Sequence, residues 1–191
     1  MFQLFVLVAF AGPIEDFGVE RGTTLEVRYF EDRQFGNLVG CTMSGQVLVD
    51  DLQAIETVSP LLEVSIQVLS DENRDNTAAA ALIRLRENSH SDSVEQPLAY
   101  AYFLNEEGRA WPAAGRVNCA SSYCVLPVGP SQMIDLMHQL DTRSSISGGY
   151  TREDAVFDTV FEISAAHSRL ESDFDPSEFL GCVDRLLNSP R

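Results

Sequence analysis

The segment Leu61-Leu-Glu-Val-Ser-Ile-Gln-Val-Leu69 places apolar residues at every second position, with Leu62, Val64, Ile66 and Val68 on one face. A period of two marks a strand buried on one side and wetted on the other. A strand of this kind cannot stand alone, so the chain must build a sheet over a core. Thr24–Glu31 alternates in the same way, and Leu98–Leu104 reads as a strand followed by a turn at Asn105-Glu-Glu-Gly108. Asn37–Val49 reads as two short strand-like pieces around Ser44-Gly45. Cys119, Tyr123–Val128 and Ala155–Ile163 continue the β pattern. Thr77–Glu87 is ambiguous: its run of alanines favours helix, whereas Leu82-Ile-Arg-Leu-Arg86 suits a strand.

Two helices come late. Pro130–Leu140 carries Met133, Ile134, Met137 and Leu140 at helical spacing. Pro176–Leu187 is better marked, with Asp175 as N-cap, Pro176 in the first turn and Glu178 in a capping-box position. Phe179, Leu180, Val183, Leu186 and Leu187 form its apolar stripe, with Cys182 at the edge. The acidic stretch Asp141–Asp154 between the helix and the next strand reads as a loop. Six or more strands and two helices in the C-terminal half, without regular strand–helix alternation, predict an α+β fold with a mostly antiparallel sheet.

At 191 residues the chain fits one domain, expected over residues 12–191. Residues 2–11 form an apolar run ending in Ala9-Phe10-Ala11, which fits either a signal peptide or a buried first strand. The run is too short to span a membrane, and no membrane insertion is expected. The charge is lopsided, with 29 acidic residues against 13 basic ones, a formal net charge of -16 and no lysine at all. Such a surface repels phosphate backbones and anionic lipid, so no nucleic-acid partner is expected. A high-GC coding bias, a salty habitat or a basic protein partner would each fit the composition. Without lysine there is no Schiff-base or phosphate-loop lysine, which excludes pyridoxal chemistry and ordinary phosphate-loop hydrolases.

Cys41, Cys119, Cys124 and Cys182 allow three pairings. Cys119 and Cys124 bracket Ala-Ser-Ser-Tyr between two short strand-like flanks, a geometry that brings their Cβ atoms together. Cys41 then pairs with Cys182 and closes a loop of more than 140 residues, a staple of about 4–5 kcal/mol by chain entropy. Four reduced, buried cysteines are the competing expectation. The cysteine and histidine spacings do not fit zinc.

Asp71-Glu-Asn-Arg-Asp-Asn76 follows the start of a calcium loop, with Asp71, Asn73 and Asp75 as the candidate ligands. Leu82 stands where the bidentate Glu belongs, and the plainer reading is a polar hairpin turn. Calcium is the one cofactor the sequence raises. No nucleophile elbow occurs. A hydrolase would need Ser121 or Ser122 to meet His138 or His167 in space. Trp111, Tyr100 and Tyr102 are binding-surface candidates, as an aromatic patch on the outer face of the Leu98–Leu104 strand.

Residues 115–187 run as a short strand, the Cys119/Cys124 pair, a helix, a strand ending near Ser164, and a last helix opened by Asp175 and containing Phe179. In this order they resemble the C-terminal half of the periplasmic invasion-associated locus B proteins. That resemblance implies export and a binding role without enzyme activity. The sequence thus predicts a periplasmic or secreted, non-enzymatic protein that binds another protein. The alternatives are a cytoplasmic acidic inhibitor of a basic partner and a hydrolase with a loop-assembled site.

Overall fold

The computed structural model describes residues 22–49, 60–70, 77–86, 97–155, 158–165 and 175–188. Among them nine strands and two helices follow in the order β1 (Thr23–Gln34), β2 (Asn37–Leu48), β3 (Leu61–Ser70), β4 (Thr77–Arg86), β5 (Leu98–Phe103), β6 (Asn118–Ala120), β7 (Tyr123–Val128), α1 (Pro130–Arg143), β8 (Ser145–Arg152), β9 (Thr159–Ser164) and α2 (Pro176–Asn188). The strands form a six-stranded sheet, β1-β2-β3-β4-β7-β6, and a three-stranded sheet, β5-β8-β9. Every pairing is antiparallel, so the α+β expectation holds.

The alternation in β3 decides which face of the large sheet is inside. Leu62, Val64, Ile66 and Val68 are all but fully buried, and their cross-strand partners Val47, Gly45, Met43 and Cys41 on β2 and Leu85, Ile83, Ala81 and Ala79 on β4 continue the same face. The small sheet and α2 share one core cluster with that face. The opposite face carries Thr42, Ser44, Ser65 and Gln67, and these bond to each other and to Asp32. Such a two-faced sheet is what period-two patterning produces.

The edges of the two sheets meet on both sides. On one side the Thr24 hydroxyl of β1 donates to the Glu162 carbonyl and accepts from the Ser164 amide of β9. On the other, the Leu98 amide donates to the Ser121 carbonyl in the β6–β7 turn. Contacts of this kind occupy edge groups that would otherwise recruit other chains.

Several expectations need correction. Asn37–Leu48 is one continuous strand. Gly45 is not a break but a close approach: a Cβ there would lie 2.7 Å from Ile163 Cγ2, so glycine lets β9 press on β2. Thr77–Arg86 is a strand, because its inward Ala81, Ile83 and Leu85 complete the core face begun by β3. Most of the expected acidic loop at Asp141–Asp154 is β8, the central strand of the small sheet. Helix α1 buries Met133, Leu136, Gln139 and Leu140, while Ile134 is 66% exposed. Gln139 is tolerated inside because its amide donates to the Leu104 carbonyl. In α2, Phe179, Cys182, Val183 and Leu186 form the buried stripe and Leu187 faces out, so Cys182 sits within the stripe rather than at its edge.

The described strand of the 155–163 stretch begins at Thr159, and of the strand-like residues 115–118 before Cys119 only Asn118 lies in β6 and pairs with β7. The apolar run 2–11 and the calcium candidate Asp71, Asn73 and Asp75 lie outside the described residues. Among the described residues no helix is long and apolar enough to cross a membrane.

Both disulfides follow the pairing expected from the sequence. Cys41 on β2 is bonded to Cys182 on α2, and Cys119 to Cys124, its directly opposed partner across β6 and β7. Glu31 lies opposite Cys41 in the β1–β2 register. Its carboxylate accepts from the Tyr29 hydroxyl and the Arg33 guanidinium, and Arg185 of α2 closes on it as well. The long disulfide and this ion cluster together fasten α2 to the large sheet.

Candidate functional site

The outer face of the small sheet carries the most distinctive exposed chemistry. On β5, Ala101 and Phe103 turn inward and are almost fully buried, so Tyr100 and Tyr102 turn outward. Their rings stack, 6.3 Å between centroids and 30° between planes, and make a tyrosine shelf. Tyr100 is 41% exposed.

The shelf is built into β8. Tyr102 lies opposite Gly149 and Tyr100 opposite Thr151. A Cβ on Gly149 would fall 2.5 Å from Tyr102 Cζ, so only glycine lets the ring lie across the strand. One residue earlier, a Cβ on Gly148 would meet the Phe161 ring at 2.6 Å. The adjacent glycines therefore each receive an aromatic ring. The Phe161 ring is fully buried and the Tyr102 ring only partly.

Asp158, just before β9, completes the arrangement. Its Oδ2 accepts from the Tyr102 hydroxyl at 2.8 Å and its Oδ1 from the Thr151 hydroxyl at 2.6 Å. Burial pushes the Tyr102 phenol above its usual range, and the Asp158 carboxylate pushes it further. The phenol thus stays protonated and keeps donating. Two bonds fix the carboxylate without exhausting its four lone-pair sites, and among the described residues no arginine pairs with it.

Trp111 does not belong to this shelf. Its ring lies 6.1 Å from Phe103, on the buried side of β5, and its backbone amide donates to the Phe103 carbonyl. The single aromatic patch expected from the sequence is thus a tyrosine pair facing solvent and a tryptophan packed against the core. The Trp111 indole nitrogen is buried without an acceptor among the described residues. A small cleft borders it, walled by Pro112, Pro127 and Gln132, with free space of about 10 Å³. That holds about one water, far below a small-molecule pocket.

No protein-family model, no curated protein and no solved structure matches the chain.

Of the residues of the hydrolase alternative, Ser121, Ser122 and His138 are described, and among the described residues no hydrogen bond joins either serine to His138. His138 is exposed on α1, 3.3 Å from Glu106. Ser122 is buried, and its carbonyl accepts from the Leu85 amide of β4. His90 and His167 lie outside the described residues. Among the described residues no group of three His, Cys, Asp or Glu side chains could hold a metal ion.

Gly149, Thr151 and Asp158 were missed by sequence reasoning. Gly148-Gly149 was the available signal: a glycine pair between Ile146 and Tyr150 marks a strand that other side chains approach closely.

Proposed function

We propose that this chain is an exported, disulfide-held binding protein that docks a partner protein on the tyrosine shelf. The observation that carries this reading is the shelf itself: two stacked outward tyrosines on one sheet face, one of them seated on a glycine and locked by a carboxylate. Tyrosine supplies large amphipathic contact area at low entropy cost and is enriched at interfaces. The nearby cleft takes no more than a water, which favours recognition by surface over turnover of an enclosed substrate. Two disulfides fit an oxidising compartment outside the cytosol, in keeping with the Ala9-Phe10-Ala11 run. The cytoplasmic inhibitor would require all four thiols reduced.

The test uses the chain as bait on a fractionated extract of its native host, beside Tyr100→Ala. Tyr100 is exposed, so its loss leaves the fold in place. The reading expects a partner retained by the wild type and lost with the variant. Retention unchanged by Tyr100→Ala removes the shelf from the function. Four free thiols in protein taken from the host would remove export.

A further inference from the structure

From the shelf chemistry we infer that it is a receptor for one cationic side chain of the partner, an arginine, which lies over the Tyr100 and Tyr102 rings with its guanidinium against Asp158. This rests on the docking reading above for the choice of face and deepens it by naming what the face takes.

Three observations converge. The rings of Tyr100 and Tyr102 stack with 6.3 Å between centroids, and Tyr100 is exposed; guanidinium planes stack on aromatic faces. Asp158 stands at the hydroxyl end of Tyr102 and is held there by Tyr102 and Thr151 together. A carboxylate fixed at the edge of an aromatic face pays no ordering cost when a cation arrives, and its remaining lone pairs accept guanidinium hydrogens. Finally, Asp158 has no arginine partner among the described residues, in a chain of formal charge -16. Most exposed acidic groups can rest in water, but one held beside a tyrosine pair forms a half-complete site for a cation. The field of so acidic a protein speeds arrival of basic partners.

Tyr102 also explains the architecture. Its hydroxyl is used for Asp158 and its ring is pressed on Gly149, so it serves as a fixed floor, while Tyr100 is the exposed lip. An aromatic pair that existed only to shield the sheet would not need the carboxylate.

The experiment is a nitrogen–proton NMR titration of the intact chain with a short capped peptide carrying one arginine. The same peptide with citrulline, which keeps the shape and loses the charge, and a methyl glycoside serve as the other ligands. The expected result is millimolar binding of the arginine peptide, with shifts centred on Tyr100, Tyr102, Gly149 and Asp158. Citrulline should weaken it by about tenfold or more, as should Asp158→Asn and Tyr100→Ala. Added salt should weaken it further. Asp158→Asn keeps the shape and one acceptor, and its amide nitrogen can donate to the oxygen of the other hydroxyl, so its fold is expected intact, and the spectrum itself reports this. Equal binding of citrulline, preferential binding of the glycoside, or no localised shift would each overturn the assignment. None of these outcomes depends on finding the natural partner. Conversely, a captured partner that binds through Tyr100 but not through Asp158 would leave docking standing and remove the arginine.

Discussion

Cys41–Cys182 joins residues 141 apart, and both sulfurs are fully buried between β2 and α2. Cys119–Cys124 joins residues five apart across two paired strands at the sheet edge, and Cys119 is only half-buried. The first bond creates a neighbour relation that the chain does not otherwise guarantee, because nothing in sequence places α2 on β2. The second fastens two strands that a tight turn already brings together. One is therefore a determinant of the tertiary fold, the other a local clasp.

That difference sets the size of what each removal should do. Replacing Cys41 and Cys182 together by alanine frees a very long loop, and the chain-entropy cost is about 4–5 kcal/mol. Small domains have only about 5–15 kcal/mol in total. The variant should lose about a third or more of its stability, with α2 the first element lost. Replacing Cys119 and Cys124 should cost about 2 kcal/mol, because the loop closed is short. Urea midpoints of both double variants test the ratio. Equal losses would mean that the long bond joins parts already held by packing, and the contrast would fall.

The two bonds were also legible to different degrees. The hairpin bond follows from spacing: Cys119 and Cys124 bracket a turn. The long bond follows only by elimination, and Cys182 lies within the buried stripe of α2 with Phe179 and Val183 rather than at its expected edge. The same division runs through the fold. β3 announces itself because its inward residues are large and regularly spaced. β8 was hidden in an expected loop because Ser145-Ile-Ser-Gly-Gly-Tyr-Thr-Arg152 has no such alternation. Its two glycines are covered by rings from other strands, so the bulk that marks it as buried belongs to Phe161 and Tyr102. The binding face was half legible for the same reason. Tyr100 and Tyr102 could be seen as outward aromatics, but Asp158 and Thr151 reach them only through pairing of β5 with β8.

Burial makes a kinetic version of the comparison. A reductant must reach a sulfur, and the half-buried Cys119 is the only cysteine of the four that is not buried. Under graded dithiol and rapid alkylation, Cys119 and Cys124 should be labelled first. Cys41 and Cys182 need α2 to lift away, and even a modest opening cost of about 1.4 kcal/mol slows them tenfold. Mass mapping of labelled peptides reads the order. Labelling of Cys41 ahead of Cys119 would show that α2 is less firmly seated than its packing implies.

The smallest effect concerns the ions beside the long bond. Hydrogen bonds from Tyr29 and Arg33 hold the Glu31 carboxyl below the usual glutamate range, with Arg185 adding to them. Tyr29 answers with a phenol pushed up to about 12, by burial first and by Glu31 second. A depressed carboxyl stabilises the fold where it is ionised in both states. As pH falls through the ordinary glutamate value of about 4.3, the unfolded chain takes up the proton first and this stabilisation drains away. It is gone below the depressed folded value. Glu31→Gln has no proton to take up. The wild type should exceed the variant by about 1 kcal/mol or less at pH 7, since the cluster is partly exposed. The gap should shrink as pH falls through about 4.3 and close below the depressed folded value, so it is read at pH 7 and in acid. Urea midpoints at the two pH values measure it. A gap that persists in acid would mean that Glu31 holds α2 by shape rather than charge, beside Cys41–Cys182 and the buried stripe of Phe179, Val183 and Leu186.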